Sequence, residues 1–194
     1  MPRFDDAIRM FDRANAEDPN TEIINGQPMP KELVYGQRMS ARLAVFAPDA
    51  PETVQLAARA QHIRRWEAPR DSYPEGRAGY LKWRTGLHKR HAEIAAGIMD
   101  DVGYDAETID RVQTLLRKRG LKTDPDVQLM EDVICLVFLE HYFHDFAQKH
   151  NAEKLVPIVR KTWKKMTRKA HEAAFALDYA PEDLAVIQKA VQSA

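Results

Sequence analysis

Cysteine is almost missing from this chain: Cys135 stands alone among 194 residues. No disulfide can close within the chain, so a buried core has to hold the fold. Charge of one sign is missing too, because 29 Lys and Arg balance 29 Asp and Glu. A neutral chain is not an overall basic nucleic-acid binder. Long apolar runs are also lacking. Val133 to Leu139, seven residues, is the longest, against the roughly 20 that span a bilayer. The opening Met1-Pro2-Arg3-Phe4-Asp5-Asp6 turns acidic at once, unlike a secretory leader. No glycine-rich phosphate loop, nucleophile elbow or paired-cysteine metal motif occurs. These absences lead to the expectation of a soluble, cytoplasmic protein with no membrane partner.

Hydrophobic residues at 44% with 30% charged residues are a globular composition. A chain of this length fits a single domain over residues 1–194 and can bury about 70% of its unfolded surface. Arg3–Ala16 carries Phe4, Ala7, Ile8, Phe11 and Ala14 at spacings of three and four, the stripe of an amphipathic helix. Asn25-Gly26 between Thr21-Glu22-Ile23-Ile24 and Gln27-Pro28-Met29 is a two-residue hairpin signal. Further helices are predicted from Pro30 to Pro48, from Pro51 to near Trp66, over about Gly79–Val102 and over about Ala106–Arg119. Asp124-Pro125 opens another, reaching to about His150 and apolar nearly all round between Val133 and Phe143, as a central helix is. Two or three shorter helices fill about 151–194, starting near Pro157 and Pro181. The predicted class is all-α, a multi-helix bundle with a small N-terminal β-hairpin.

Zero net charge conceals an uneven distribution. Residues 59–91 hold nine basic and three acidic side chains, and 160–171 hold six basic and none acidic. Such stretches hold a local anion or are solvated helix faces. Residues 67–78, rich in Pro, Gly and charge, form the longest predicted loop, a place where lids and binding segments are found. Polar residues on apolar faces are the other signal, since burial without a partner costs a few kcal/mol. His91 shares a face with Trp83, Leu87, Ile94 and Ile98, His88 lies one turn earlier, and His62 follows Ala58 by one turn. Glu131 and Asp132 immediately precede the apolar run. His62, His91 and Asp132, on three predicted helices, have the ligand chemistry for one divalent metal ion. Each could equally be a hydrogen-bonded core residue, and Asp132 could pair with Arg65 or Lys118. His141 and His144, spaced i, i+3, read as surface or packing residues.

The order Ala57-Ala58-Arg59-Ala60-Gln61-His62-Ile63, His91-Ala92-Glu93-Ile94-Ala95, Gly103-Tyr104-Asp105, Leu115-Leu116 and Glu131-Asp132-Val133 resembles the helical core of HD-domain metal-dependent phosphohydrolases, over about 33–145. That resemblance implies that His62 is the pair's histidine, His91 a later histidine and Asp132 the final aspartate. Ile63 stands where the pair's Asp belongs, Gln37 near the early histidine, and Lys118-Arg119 near a later one. Loss of the bridging Asp argues against two metals and leaves one ion, or a phosphate held without any. Phe11-Asp12, Asn15-Ala16-Glu17-Asp18-Pro19-Asn20, Gln61-His62-Ile63-Arg64-Arg65-Trp66-Glu67, Tyr80-Leu81-Lys82-Trp83-Arg84 and Glu131-Asp132 with Phe138-Leu139-Glu140 are similar to a bacterial and eukaryotic family of domains of unknown function, over nearly the whole chain. Its members are sometimes labelled glutamyl-tRNA synthetase-like. His62-Ile63-Arg64-Arg65 and Lys165-Met166-Thr167-Arg168-Lys169 echo the class I synthetase signatures, but those need a parallel-sheet fold for which no run of strands exists here.

Two functional expectations follow. In the first, Asp132, Glu131 and His62 act on a phosphorylated small molecule or nucleotide, with His62, His91 and Asp132 on a metal ion. Arg64, Arg65, Lys82, Arg84 and Lys118 would bind phosphate, with His88 beside them, and Trp66, Trp83 or Tyr80 would stack a base. The alternative reading puts Trp83 in the core, which its place on the His91 face favours, and Trp66 as a cover on a helix end. In the second, no catalysis occurs, and the same basic cleft binds a phosphorylated ligand or, with less support, RNA.

Overall fold

The computed structural model describes residues 2–121 and 123–192. It is all-α apart from one hairpin, with ten α-helices among the described residues. Two compact units divide at Gly120/Leu121, inside the 33–145 span of the HD-like resemblance. No described helix is long and apolar enough to cross a membrane.

The first unit opens with α1 (Pro2–Ala16), whose stripe buries Ala7, Phe11 and Ala14. Strands β1 (Thr21–Ile24) and β2 (Gln27–Pro30) pair antiparallel, with Ile24 opposite Gln27. Asn25 and Gly26 have φ of 51° and 80°, the left-handed pair that matches the twist of a tight hairpin. Asp18, buried, accepts from the Glu32 amide at 3.0 Å and from the Asn20 amide at 2.9 Å. Its carboxylate therefore sits at the positive end of α2 (Lys31–Phe46). Val34, Met39, Leu43 and Phe46 form the buried face of α2.

The helix predicted to reach Trp66 is shorter: α3 covers Glu52–Arg59 only. Arg64 turns left-handed at φ 51°, and its amide donates to Asn15 Oδ1 at 3.0 Å. That tertiary bond to the end of α1 replaces the helical one. Residues 65–72 then run through two single 3-10 turns. Helix α4 starts earlier than predicted (Gly76–Asp101), and α5 spans Ala106–Leu116. Helices α1, α2 and α3 pack on one another, α5 packs on α3 and α4, and α4 also meets α1.

The second unit holds α6 (Pro125–His141), α7 (Phe143–Ala147), α8 (Ala152–Trp163), α9 (Arg168–Phe175) and α10 (Pro181–Val191). Asp124 caps α6 by accepting from the Asp126 and Val127 amides, and Pro125 occupies the first helical turn. Val133, Cys135, Leu136, Val137 and Leu139 are buried, so the apolar run is the central helix of this unit. The predicted single helix to His150 is broken at Tyr142 (φ −126°, ψ −16°). The break lets Phe143, fully buried, and Phe146 both meet Phe138 edge-on.

Candidate functional site

The first unit gathers its unusual polar residues around His62. Its ring stacks on Tyr35 of α2, with centroids 3.8 Å apart and planes within 10°. Its Nε2 lies 2.9 Å from Arg65 Nη1, and its Nδ1 lies 3.2 Å from Glu32 Oε2. Arginine can only donate, so Nε2 is the accepting nitrogen and Nδ1–H donates to Glu32. The order Glu32–His62–Arg65 thus fixes the tautomer of a neutral imidazole. Burial, then Arg65, Lys118, His88 and Lys31, hold the His62 pKa well below the usual value. Burial also raises the Glu32 pKa, against the opposing pull of Arg65, Lys31 and His91.

His91 of α4 is 2% exposed and lies 5.9 Å from His62, ring centre to ring centre. Its Nδ1–H donates to the Ile63 carbonyl at 2.8 Å. Its Nε2 therefore carries a lone pair, and that buried atom has no hydrogen-bond partner among the described residues. Burial first, and His62 second, push its pKa down to about 3.

Beside this network opens a cavity of about 430 Å³, lined by Lys31, Glu32, Arg65, Trp66, Arg70 and Trp83, with the start of β1 at its rim. Three cations face one carboxylate. The Arg65 guanidinium lies over the Trp83 ring at 5.1 Å, and Trp83 Nε1–H donates to the Ala68 carbonyl at 2.8 Å. Arg70 donates to the carbonyls of Tyr73 and Pro74, both at 3.0 Å. Neutral carbonyls position its guanidinium without cancelling its charge. Gly79 lets this segment close onto α4, because a Cβ there would stand 1.8 Å from the Pro74 carbonyl oxygen.

Not every residue predicted for the site joins this cavity. His62, Arg65, Trp66 and His91 come together in the first unit. Trp83, expected on the buried face of α4, instead walls the cavity; the buried face runs through Leu87, His91, Ala92, Ala95 and Met99. Arg64 turns to Glu17 and Glu67, each at 2.6 Å, and Arg90 also pairs with Glu67. Although burial raises the Glu67 pKa, the bonds from Arg90 and Arg64 prevail and lower it. Lys82 is exposed, Arg84, His88 and Lys118 are part-buried, and none of the four lines the cavity.

Glu131 and Asp132 belong to the second unit, each 2% exposed. Glu131 Oε1 pairs with Lys165 Nζ at 3.2 Å. Asp132 Oδ1 accepts from the Thr167 amide at 2.9 Å and from Gln128 at 3.1 Å, while Oδ2 accepts from the Thr167 hydroxyl at 2.6 Å. Thr167 is also the N-cap of α9. Asp132 thus anchors a helix start.

These donors do not match the metal set expected from sequence. Both nitrogens of His62 are engaged, one by a guanidinium whose positive charge opposes an adjacent cation. Both oxygens of Asp132 are engaged by Thr167. Among the described residues, no group of three or more His, Cys, Asp or Glu side chains is placed to hold a metal ion. His144 pairs with the buried Asp183 at 2.8 Å and His141 with Glu140 at 3.3 Å.

Glu32, Lys31 and Arg70 were missed by sequence reasoning. Lys31-Glu32 has the look of an ordinary first helical turn, and no periodicity links position 32 to position 62. Arg70 carried only the loop's general signal.

No curated protein and no solved structure matches the chain. A family model matches residues 5–187, nearly the whole length that carried the sequence resemblance, and by that match the chain belongs to the family described as Domain of unknown function (DUF4202).

Proposed function

We propose that the first unit binds a phosphorylated small molecule of the nucleotide type in the cavity beside His62. One observation carries this reading: three cations and two indole rings surround a single cavity in a chain of zero net charge. Lys31, Arg65 and Arg70 supply charge-assisted donors for a phosphate, and Trp66 and Trp83 supply faces for a planar ring. About 430 Å³ falls within the size range of small-ligand sites. Titration calorimetry with adenosine 5′-monophosphate, adenosine and inorganic phosphate tests it. The nucleotide binds at least tenfold tighter than either fragment, and Lys31→Ala with Arg70→Ala weakens it at least tenfold. Equal binding of all three, or an unaffected double variant, overturns the reading.

A second reading, hydrolysis of the phosphoester, is favoured by the Glu32–His62 pair. A carboxylate on Nδ1–H orients an imidazole so that Nε2 can take a proton. In this reading a bound phosphate draws Arg65 off that nitrogen; His62 then accepts a proton from the attacking water as the bond from phosphorus to the ester oxygen breaks, and the departing oxygen takes a proton from solvent. The likeness to HD-domain phosphohydrolases points the same way, though here without ligands from Asp132 or Glu131. Release of inorganic phosphate from the nucleotide, lost in His62→Gln while nucleotide affinity persists, is its expected signature.

A further inference from the structure

We infer that the ligand of this cavity is the phosphorylated end of a single strand of nucleic acid, whose following nucleotides lie along the first turns of α4. This rests on the proposed phosphate-binding reading of the cavity and names the class of molecule it holds.

Trp83 belongs to two surfaces. It walls the cavity, with the Arg65 guanidinium over its ring. It also meets Tyr80, ring centres 5.8 Å apart and planes tilted by 48°. Tyr80 is 42% exposed and its neighbour Leu81 is 49% exposed. Arg77, Tyr80, Arg84, Leu87 and His91 follow one another at alternating steps of three and four residues, so they form one stripe along α4. The second half of that stripe, Leu87 and His91, is buried core. The first half carries two arginines around an open aromatic ring, which is not the composition of a packing face.

The charge here is local and of one sign. Residues 76–92 hold five basic side chains and no acidic one. Arg90 pairs with Glu67, and Lys89 with Glu93 at 3.7 Å. Lys82 falls on the opposite side of the helix by its spacing. Arg77, exposed, and Arg84, part-buried, have no ion-pair partner among the described residues. Cations alternating with a ring face fit a chain that alternates phosphates with planar bases, the covalent pattern of a single strand. Arg77 and Arg84 stand about 10 Å apart along the helix axis, three steps of a strand at about 3.4 Å per stacked nucleotide. A duplex has its bases already stacked and offers Tyr80 no free face. An anionic membrane would be met by more aliphatic side chains than Leu81.

Calorimetry on the full chain would compare adenosine 5′-monophosphate with tetra-adenylate carrying a 5′-phosphate or a 5′-hydroxyl. The phosphorylated tetramer binds at least tenfold tighter than either of the others. Its affinity also falls more steeply with salt than that of the mononucleotide, by about 0.7 in the log–log slope for each further phosphate held. Tyr80 and Arg77 are exposed, so substitutions there leave the fold intact. Tyr80→Ala and Arg77→Ala each weaken the tetramer at least fivefold and leave the mononucleotide within twofold, whereas Tyr80→Phe keeps the tetramer. A tetramer advantage short of tenfold, or one untouched by either alanine, overturns the inference while nucleotide binding in the cavity stands. Equal binding of the 5′-hydroxyl tetramer also overturns it, since the strand then does not enter the cavity by its phosphate. If phosphatidylserine vesicles bind and the tetramer does not, the face meets a membrane and the inference fails. Failure of the mononucleotide and the tetramer alike overturns the reading of the cavity as well.

Discussion

Asp132, the buried His91 and the exposed His144 show how neighbours decide what a polar side chain does. Thr167 caps α9 and also donates twice to Asp132. Thr167→Ala removes the cap and one charge-assisted bond, which costs about 1–3 kcal/mol in urea denaturation; Thr167→Ser keeps both. His91 is held neutral, with its pKa at about 3 against an ordinary 6.5. The unfolded chain therefore binds a proton between those values that the folded chain does not, so stability rises with pH across that window. Lowering the pH from 7 to about 4.5 is expected to remove on the order of 2–3 kcal/mol through this residue. The urea midpoint should fall accordingly, and less so in His91→Asn. His144 has the opposite sign. Its bond to Asp183 raises its pKa, so its contribution is complete below pH 6.5 and is lost as pH rises through the raised value. His144→Gln should lower the melting temperature at pH 5.5 and leave it nearly unchanged at pH 9.

Among the elements, glycine positions set how closely segments approach. Gly36 of α2 faces the Arg59 carbonyl at the end of α3, where an added Cβ would lie at 2.9 Å from backbone oxygen. Gly36→Ala is expected to cost about 1–3 kcal/mol by overpacking, measured by chemical denaturation. The hairpin was legible because Asn-Gly has a local conformational reason for its turn. The left-handed turn at Arg64 beyond α3 was not, because its amide is held by Asn15 from 49 residues away. Likewise the apolar run around Val133 marked a central helix, yet its break at Tyr142 reflects how Phe143 and Phe146 meet Phe138.

In the whole molecule, balanced charge conceals a local cationic cavity. Ligand binding to the folded chain alone stabilises it by mass action. With nucleotide at about 100 times its Kd, the unfolding free energy of the first unit should rise by about 2.7 kcal/mol, read as a higher melting temperature that Arg70→Ala reduces. Helical class, the hairpin, the buried positions of His91, Glu131 and Asp132, and family membership could all be recognised from residue order. Periodicity, turn chemistry and local motifs act over a few residues, and those signals survive in one dimension. Which polar groups meet was decided by packing: Glu32 with His62, Arg65 with Trp83, Asp132 with Thr167. Hydrogen bonds and ion pairs act over about 3 Å in space, and no spacing rule along the chain encodes contacts made by residues 18 to 35 positions apart.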